Sequence, residues 1–392
     1  MSFSRWLDGR IAELKESGLH RTLREVTGPQ VTDISVEGNL LLNFSSNDYL
    51  GLASHPAVIA ASRAAASESG AGSGASRLIS GNLSCHNRLE ASIATFKNTE
   101  SALAFSSGYA AATGAIPALV GRGDVVILDK LAHACLVDGA RLSGATIRVF
   151  PHNDTSILES RLDWASRQGG KVLVVTESVF SMDGDLAPLA EIVRLKDKYG
   201  AWLLLDEAHG VGVLGESGRG LADHIGVAER IEIQMGTLGK SLGSSGAYLC
   251  GTASLREYLL NSARSFIFST APGPPSVAAA EAALEVLQSP EGASRLASLS
   301  RNVRFFATMV GLSGQETPII PLHIGDEDKA VEAMATLRQQ GILVPAVRYP
   351  TVPRGKARLR VTLTAAHTKE NLAELAEKVA PLSADGNMTN YA

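Results

Sequence analysis

The sequence predicts an α/β fold: a large unit with a mostly parallel central sheet between helices, a helical arm before it and a smaller α+β unit after it. Three observations predict this. Across residues 101–251, short and mostly continuous apolar runs alternate with helical segments, as expected of strands covered on both faces. Five of these runs end in polar, titratable or glycine-turn residues. At Ser269-Thr-Ala-Pro-Gly-Pro-Pro275 the texture breaks, and a different alternation of strands and helices follows. The expected division is an arm over 1–45, a large unit over 46–272 and a small unit over 273–392.

At 392 residues the chain can bury a large core. A net charge of −4, with 19% charged residues, gives no electrostatic reason to expect nucleic acid or an anionic membrane as partner. The first ten residues are mixed and polar, and no apolar run approaches a membrane span. Cys85, Cys135 and Cys250 are far apart, odd in number and without metal spacing, so a reducing cytoplasm is the expected setting.

In chain order, residues 1–25 read as a helix with a weak apolar stripe, Leu7, Ile11, Leu14 and Leu19, an arm suited to packing on a partner subunit. Leu40-Leu-Leu-Asn-Phe44 is a strand that runs into the polar loop Ser45-Ser-Asn-Asp-Tyr-Leu-Gly-Leu52. Gly70, Gly72 and Gly74 resemble a phosphate cradle, without the dinucleotide fingerprint. Leu89, Ile93 and Phe96 share a helical face. Strands are expected at 102–105, 125–128, 172–175, 202–205, 231–235 and 247–250. A helix with Leu186, Leu189, Ile192 and Val193 on one face has Pro188 near its start and Gly200 at its end. An alanine-rich helix spans 276–287. Strands are expected at 318–324 and 342–344, with a helix through Val331, Met334 and Leu337 between them. Residues 357–364 alternate strictly, placing Arg358, Arg360 and Thr362 on the polar face, either solvated or lining a cleft. A last helix uses Leu372, Leu375 and Val379, and the tail after Ala384 should fray.

Ligands of open α/β sheets bind beyond the carboxyl ends of the strands. Here those ends carry Ser107-Gly-Tyr109, His133, Thr176-Glu-Ser178, Asp206-Glu-Ala-His209 and Thr237-Leu-Gly-Lys240. A lysine amine can condense with an aldehyde cofactor. A buried strand-end carboxylate can keep a pyridine nitrogen protonated. A glycine turn opening a helix can hold a phosphate, and a histidine can stack on a planar ring. Together these needs describe pyridoxal 5′-phosphate. Gly236, Gly239 and Gly243 around Lys240 would let its ring approach the backbone. Each residue also has a plain alternative: Asp206 as a helix N-cap, His209 as a core histidine, His133 as a helix start and Ser107-Gly108 as an ordinary turn. No metal-ligand spacing and no serine-hydrolase elbow is present in the sequence.

Asn43-Phe-Ser-Ser-Asn-Asp-Tyr-Leu-Gly51, Thr176-Glu-Ser-Val-Phe-Ser-Met-Asp-Gly-Asp185, Asp206-Glu-Ala-His-Gly210, Thr237-Leu-Gly-Lys240 and Pro350-Thr-Val-Pro353 with Arg358-Leu-Arg360 resemble the α-oxoamine synthases, which are fold-type I pyridoxal-phosphate transferases. The likeness spans nearly the whole chain. It implies that Lys240 anchors the cofactor and acts as base, and that Asp206 pairs with the ring nitrogen. It puts His133 on the ring face, His209 and Ser181 at the phenolic oxygen, and Gly108, Tyr109 and Thr237 at the phosphate. Arg21, His133, Thr351 and Arg360 become substrate contacts, Arg360 gripping the amino-acid carboxylate with Asn47 at the same end. The reaction implied joins an amino acid to an acyl thioester with loss of CO2. The resemblance also implies a homodimer with the site at its interface, where Ser269 and Thr270 reach the neighbouring subunit's phosphate. Members of the family differ in an acyl pocket that the sequence does not define. A non-catalytic scaffold of the same fold is the alternative of another class, against which Lys240, Asp206 and His133 all stand.

Overall fold

The computed structural model describes residues 1–384, so the tail expected to fray lies outside the described residues. Helix α1 (Phe3–Glu16) is capped by Ser2 and ends at Ser17. It is shorter than expected because Gly18 turns to φ +68°, which leaves Leu19 outside it. Strands β1 (Val26–Thr27), β2 (Asp33–Val36) and β3 (Asn39–Asn43) form an antiparallel set. Only part of β3 was legible; β1 and β2 are short and carry little apolar signal.

The large unit opens with α2 (Pro56–Ser69) and α3 (Ser84–Phe96). Strand and helix then alternate through β4 (Ser101–Phe105), α4 (Gly108–Leu119), β5 (Val125–Asp129), α5 (Ala134–Ser143), β6 (Thr146–Phe150), α6 (Thr155–Ser166), β7 (Val172–Glu177), α7 (Leu189–Lys198), β8 (Trp202–Asp206), α8 (Leu221–His224), β9 (Ile233–Thr237) and β10 (Ala247–Gly251). These strands form one seven-stranded sheet in the order β4-β10-β9-β8-β7-β5-β6. β10 runs against both its neighbours, and every other adjacent pair is parallel. The mostly parallel sheet is as expected. β6 is the strand the sequence did not give. As the edge strand it is partly exposed, and Thr146-Ile-Arg-Val-Phe150 lacks the continuous apolar run of its neighbours.

The continuous runs are explained by burial on both faces. Val126, Leu128, Leu173, Val175 and Leu204 pack with Ala112, Ile116 and Leu136 of α4 and α5. The alternate residues Ile127, Val174, Leu203 and Leu205 pack with Leu89 and Ile93 of α3, Leu158 of α6 and Ile192 of α7. Each such side chain removed from water stabilises the fold by about 1.5–3 kcal/mol.

Helices α9 (Ala253–Ser262), α10 (Arg264–Ile267), α11 (Pro274–Leu287) and α12 (Pro290–Met309) follow. Gly273 and two prolines start α11, as the sequence signals. The expected boundary at 273 assigns α11 to the small unit, but its alanine face (Ala279, Ala280, Ala283) packs in the core of the large sheet. Small side chains let it approach α2 closely. The small unit is built from β11 (Ile319–Gly325), α13 (Glu327–Gln339), β12 (Ile342–Leu343), β13 (Ala346–Val347), β14 (Ala357–Thr362) and α14 (Lys369–Ala384). β11, β14 and β13 form an antiparallel sheet, while β12 pairs parallel with β3. Leu42 and Phe44 lie in the same core as Leu322, Leu359 and Phe306, so the end of the arm packs with the small unit.

Gly184 sits where the two units meet. Its φ is +70°, and a Cβ there would lie 2.1 Å from the Ile319 carbonyl oxygen. Gly200 has φ +65° with open space around it. Both Gly→Ala variants should suffer the left-handed strain of about 1–2 kcal/mol. Gly184→Ala should lose roughly 1–3 kcal/mol more from the clash. Denaturant unfolding tests this, and equal losses at the two positions would contradict the close approach.

Candidate functional site

Parallel strands in register bring their carboxyl ends to one edge of the sheet. Glu177 and Asp206 are paired in the β7–β8 register, and Asp206 is paired with Met235 of β9. Lys240 follows β9 in a loop closed by Leu238 N–H to Gly246 O at 2.9 Å and Gly243 N–H to Lys240 O at 2.8 Å. Ser241 Oγ donates to Val211 O at 2.6 Å, and Ser244 Oγ donates to Ser276 O at 2.6 Å. Two of the three glycines around this lysine have another purpose than the one expected, whereas a Cβ at Gly239 would meet nothing nearer than Ser244 O at 3.4 Å. A Cβ at Gly236 would strike the Tyr248 ring at 2.3 Å, and one at Gly243 (φ +58°) would strike Ala53 N at 2.2 Å. Protein already fills that space, so these two glycines let the loop pack and leave no room for a ring.

Lys240 Nζ lies 2.7 Å from His209 Nε2. Burial lowers the amine pKa to about 8, helped by Arg360 and opposed by Asp206 and Glu177. The neutral, nucleophilic amine is therefore far more accessible near neutral pH than in a solvated lysine, and it predominates above about pH 8. Burial raises the Asp206 carboxyl, and the Lys240 charge pulls it back down. Asp206 Oδ1 accepts from Ala208 N–H at 2.9 Å, a turn with no helix after it, so the plain N-cap reading does not hold. The turn is anchored by the buried pair of Glu207 with Lys97.

His133 satisfies its plain reading and faces the site as well. It caps α5 by accepting the Cys135 N–H on Nδ1 at 3.2 Å. Its ring is exposed and near enough to Asp206 and Lys240 to feel both charges. Its own N–H donates to Glu177 Oε1 at 2.7 Å. Glu177 was quoted in a motif and given no role. It is 2% exposed, and its carboxyl is raised well above the usual range by burial and by Asp206. Its place at the end of a strand, like that of Asp206, was the available signal.

At the phosphate-competent end, Ser107 caps α4 by accepting from Ala110 N–H at 3.1 Å. The first amides of a helix, here Gly108 and Tyr109, have no partner inside it. Tyr109 OH donates to Asp138 at 2.6 Å. Thr237 Oγ1 donates to Gly246 O at 3.1 Å and accepts from Gly239 N–H at 3.2 Å.

Arg358 and Arg360 are both buried, at 4% and 5% exposure, so the polar face of β14 lines a junction. Arg360 Nε donates to Ser181 O at 2.6 Å, and its two terminal nitrogens lie 3.3 and 3.2 Å from Asn47 Oδ1. Arg358 pairs with Asp183. The 181–185 loop they grip is held from behind by His152, which bonds Asp129 at 3.0 Å and Asp185 at 2.7 Å. His152 was missed because neither acid is near it in sequence. Arg21 and Thr351 are exposed and stand outside the buried cluster in the single chain. Ser269 is half-buried and Thr270 exposed.

The cluster brings together a buried amine, buried carboxyls and the free amides of a helix start, groups able to meet an aldehyde, a ring nitrogen and a phosphate. The chain belongs to the aminotransferase class I and II family, whose model matches residues 40–379. It is 49% identical over 374 residues to the 8-amino-7-oxononanoate synthase of Geobacter sulfurreducens, covering 94% of this chain and 95% of that one. Among solved structures, one described as SPT with a PLP internal aldimine superposes with a TM-score of 0.92 at 29% identity, covering 99% of this chain and 100% of that one. The 8-amino-7-oxononanoate synthase of Francisella tularensis superposes with a TM-score of 0.75 at 29% identity, over 88% of this chain and 98% of that one.

Burial alone would lower the pKa of His152, but its bonds to Asp129 and Asp185 outweigh it and raise the value from 6.5 to about 10. The folded state thus holds a proton that the unfolded state releases above about 6.5. The resulting stability is complete below pH 6.5 and should be lost as pH climbs through 10. His152→Asn should cost on the order of 2 kcal/mol at pH 6 and flatten that pH dependence. Urea unfolding at a series of pH values measures both; an unchanged slope would refute the ion-pair account.

Proposed function

We propose that the chain is an 8-amino-7-oxononanoate synthase, which joins L-alanine to a pimeloyl thioester of coenzyme A or a carrier protein and releases CO2 and free thiol, in biotin synthesis. One observation carries the reading: Lys240 Nζ, with its pKa near 8, meets His209 amid Asp206, Glu177 and Arg360 in a chain 49% identical to a relative of that name.

The residues present fit pyridoxal 5′-phosphate. A buried amine would meet the aldehyde (Lys240) and a buried carboxylate the ring nitrogen (Asp206). His209 and Ser181 would stand at the phenolic oxygen and His133 on the ring face. The first amides of α4, at Gly108 and Tyr109, and Thr237 would hold the phosphate. When bound, the cofactor supplies an aldehyde that condenses with amines and a ring that takes up the electrons left by a broken Cα–H bond. Lys240 Nζ removes the proton from Cα and returns it, a task suited to a base with pKa near the working pH. Arg360 offers a planar fork to the alanine carboxylate, already aimed by its bonds to Ser181 O and Thr362 Oγ1. Asn47, at the same end, faces both terminal nitrogens of that fork.

The three-part division of the chain belongs to the same proposal, with the small unit starting after α11. So does a homodimer with its site at the subunit interface. Trp6, Leu7, Ile11 and Leu14 of α1 are 51%, 37%, 41% and 42% exposed, an apolar stripe suited to a second copy. Pairing would set Arg21, Thr351, Ser269 and Thr270 against the site of a second copy. No helix among the described residues is long and apolar enough to cross a membrane. The three unpaired, buried cysteines favour the cytoplasm, an assignment that recovery of the protein with cell membranes would defeat.

Lys240→Ala should lose the reducible covalent link between protein and cofactor, and reduce turnover by about 10²–10⁴-fold. Arg360→Lys should raise KM for L-alanine about tenfold with a smaller effect on kcat. A Lys240→Ala protein that reduction still linked covalently to the cofactor, or faster turnover with glycine than with alanine, would overturn the assignment. Sedimentation equilibrium should give a two-chain mass that falls to one chain when Trp6, Ile11 and Leu14 are replaced by serine; a monomeric native chain would rule out the dimer.

A further inference from the structure

The loop between β3 and α2 places in the site a side chain to which no role has been given. Tyr49 is 0% exposed, and its hydroxyl lies 2.6 Å from His209 Nδ1 and 3.3 Å from Asn47 Oδ1. The loop is built to hold it still. The Asp48 carboxylate accepts from Leu52 N–H at 2.8 Å and Ala53 N–H at 3.0 Å. The Tyr49 carbonyl accepts from Ala365 N–H at 2.7 Å, and Arg295 donates to Leu50 O at 2.8 Å.

A phenol has one proton to give, and here two acceptors compete for it. Asn47 Oδ1 already faces both terminal nitrogens of Arg360, at 3.3 and 3.2 Å. The contact with His209 is shorter by 0.7 Å (3.3 against 2.6 Å) and is the stronger of the two, which favours the phenol proton on that side. Burial holds the Tyr49 pKa up at about 12 despite Arg360, so the hydroxyl remains a donor across the working range of pH. Burial, with the charges of Lys240, Arg360 and His133, keeps His209 far below its usual pKa and therefore neutral. A neutral imidazole carries one N–H. If Nδ1 accepts, the proton is on Nε2, the nitrogen 2.7 Å from Lys240 Nζ.

We propose that Tyr49 is a positioning residue that fixes His209 in the Nε2–H tautomer by donating to Nδ1, so that His209 presents a donor to the neutral Lys240 amine and to the cofactor oxygen beside it. The part about the cofactor rests on the reading given above. Toward the neutral amine, this donor occupies the lone pair and holds Nζ in place. Toward a developing oxygen anion, it is a pre-aimed hydrogen bond that needs no reorganisation. The other tautomer would turn a lone pair to both. Arg360 takes part at one remove: by occupying Asn47 Oδ1 it leaves the phenol proton to His209. The carboxylate-binding end of the site and the lysine end thus share one chain of contacts, Arg360–Asn47–Tyr49–His209–Lys240.

Tyr49→Phe removes a single oxygen from a buried ring and is the direct test. Nitrogen-15 spectra of the full chain with labelled histidine, without cofactor at pH 9, where the Lys240 amine is mostly neutral, should show His209 protonated at Nε2 and bare at Nδ1. In Tyr49→Phe the two tautomers should mix. A wild-type proton on Nδ1, or His209 signals unmoved by the substitution, would overturn the proposal. The wild-type spectrum alone decides the tautomer should the variant fail to fold. This readout needs no cofactor, so it stands or falls separately from the proposed activity. With pyridoxal 5′-phosphate loaded, Tyr49→Phe should lower kcat about three- to tenfold, the ratio one ordinary hydrogen bond is worth, and leave KM for L-alanine within about twofold. A change confined to KM would count against it.

Discussion

A lysine that must act as a neutral amine near pH 7 has to be kept out of water and still have its charged form tolerated. Much of the site follows from that constraint. Burial lowers the Lys240 pKa to about 8, while Asp206 and Glu177 prevent it from falling further. The two acids can stand beside it because neighbouring parallel strands end in register at Glu177 and Asp206. Each acid is in turn satisfied by a backbone amide, Glu177 by His133 and Asp206 by Ala208. An unpaired buried carboxylate would be far more costly than the bonds that hold these two.

The second constraint is the junction of the two units. Arg358 and Arg360 come from the small sheet, yet their partners are Asp183 and the Ser181 carbonyl on a loop of the large one. The loop cannot drift, because His152 ties Asp185 to Asp129 from behind and Gly184 is pressed against Ile319. A few ångströms of slack there would misplace the guanidinium fork, and a planar fork tolerates little misplacement. The close fit at Gly184 and the half-buried charge of His152 therefore bear on the aim of the Arg360 fork as well as on stability.

Plain and functional readings of a residue prove compatible at several positions. His133 is a helix cap and also faces the site. Thr237 braces its own loop at the phosphate-competent end. Gly236 and Gly243 near Lys240 serve packing, although their position in the motif suggests access for a ring. Local roles such as caps and turns fix a side chain's direction, and a site needs side chains with fixed directions.

The sequence by itself determined the α/β class, the mostly parallel sheet and the strand-end residues Lys240, Asp206, His209 and His133. These depend on local patterning: continuous apolar runs mark strands buried on both faces, and the residues just after them share one edge of the sheet. It also marked β14, because strict alternation puts Arg358 and Arg360 on one face. It could not say what that face meets, nor find β6, whose edge position removes the apolar run. Glu177, His152 and Tyr49 became legible only in three dimensions. Their partners, His133, Asp129 with Asp185, and His209, come from other strands and loops, and a buried polar group is explained by the partner that satisfies it. That pairing is a property of tertiary packing, which places residues 49 and 209 a hydrogen bond apart with no trace of it in the spacing along the chain.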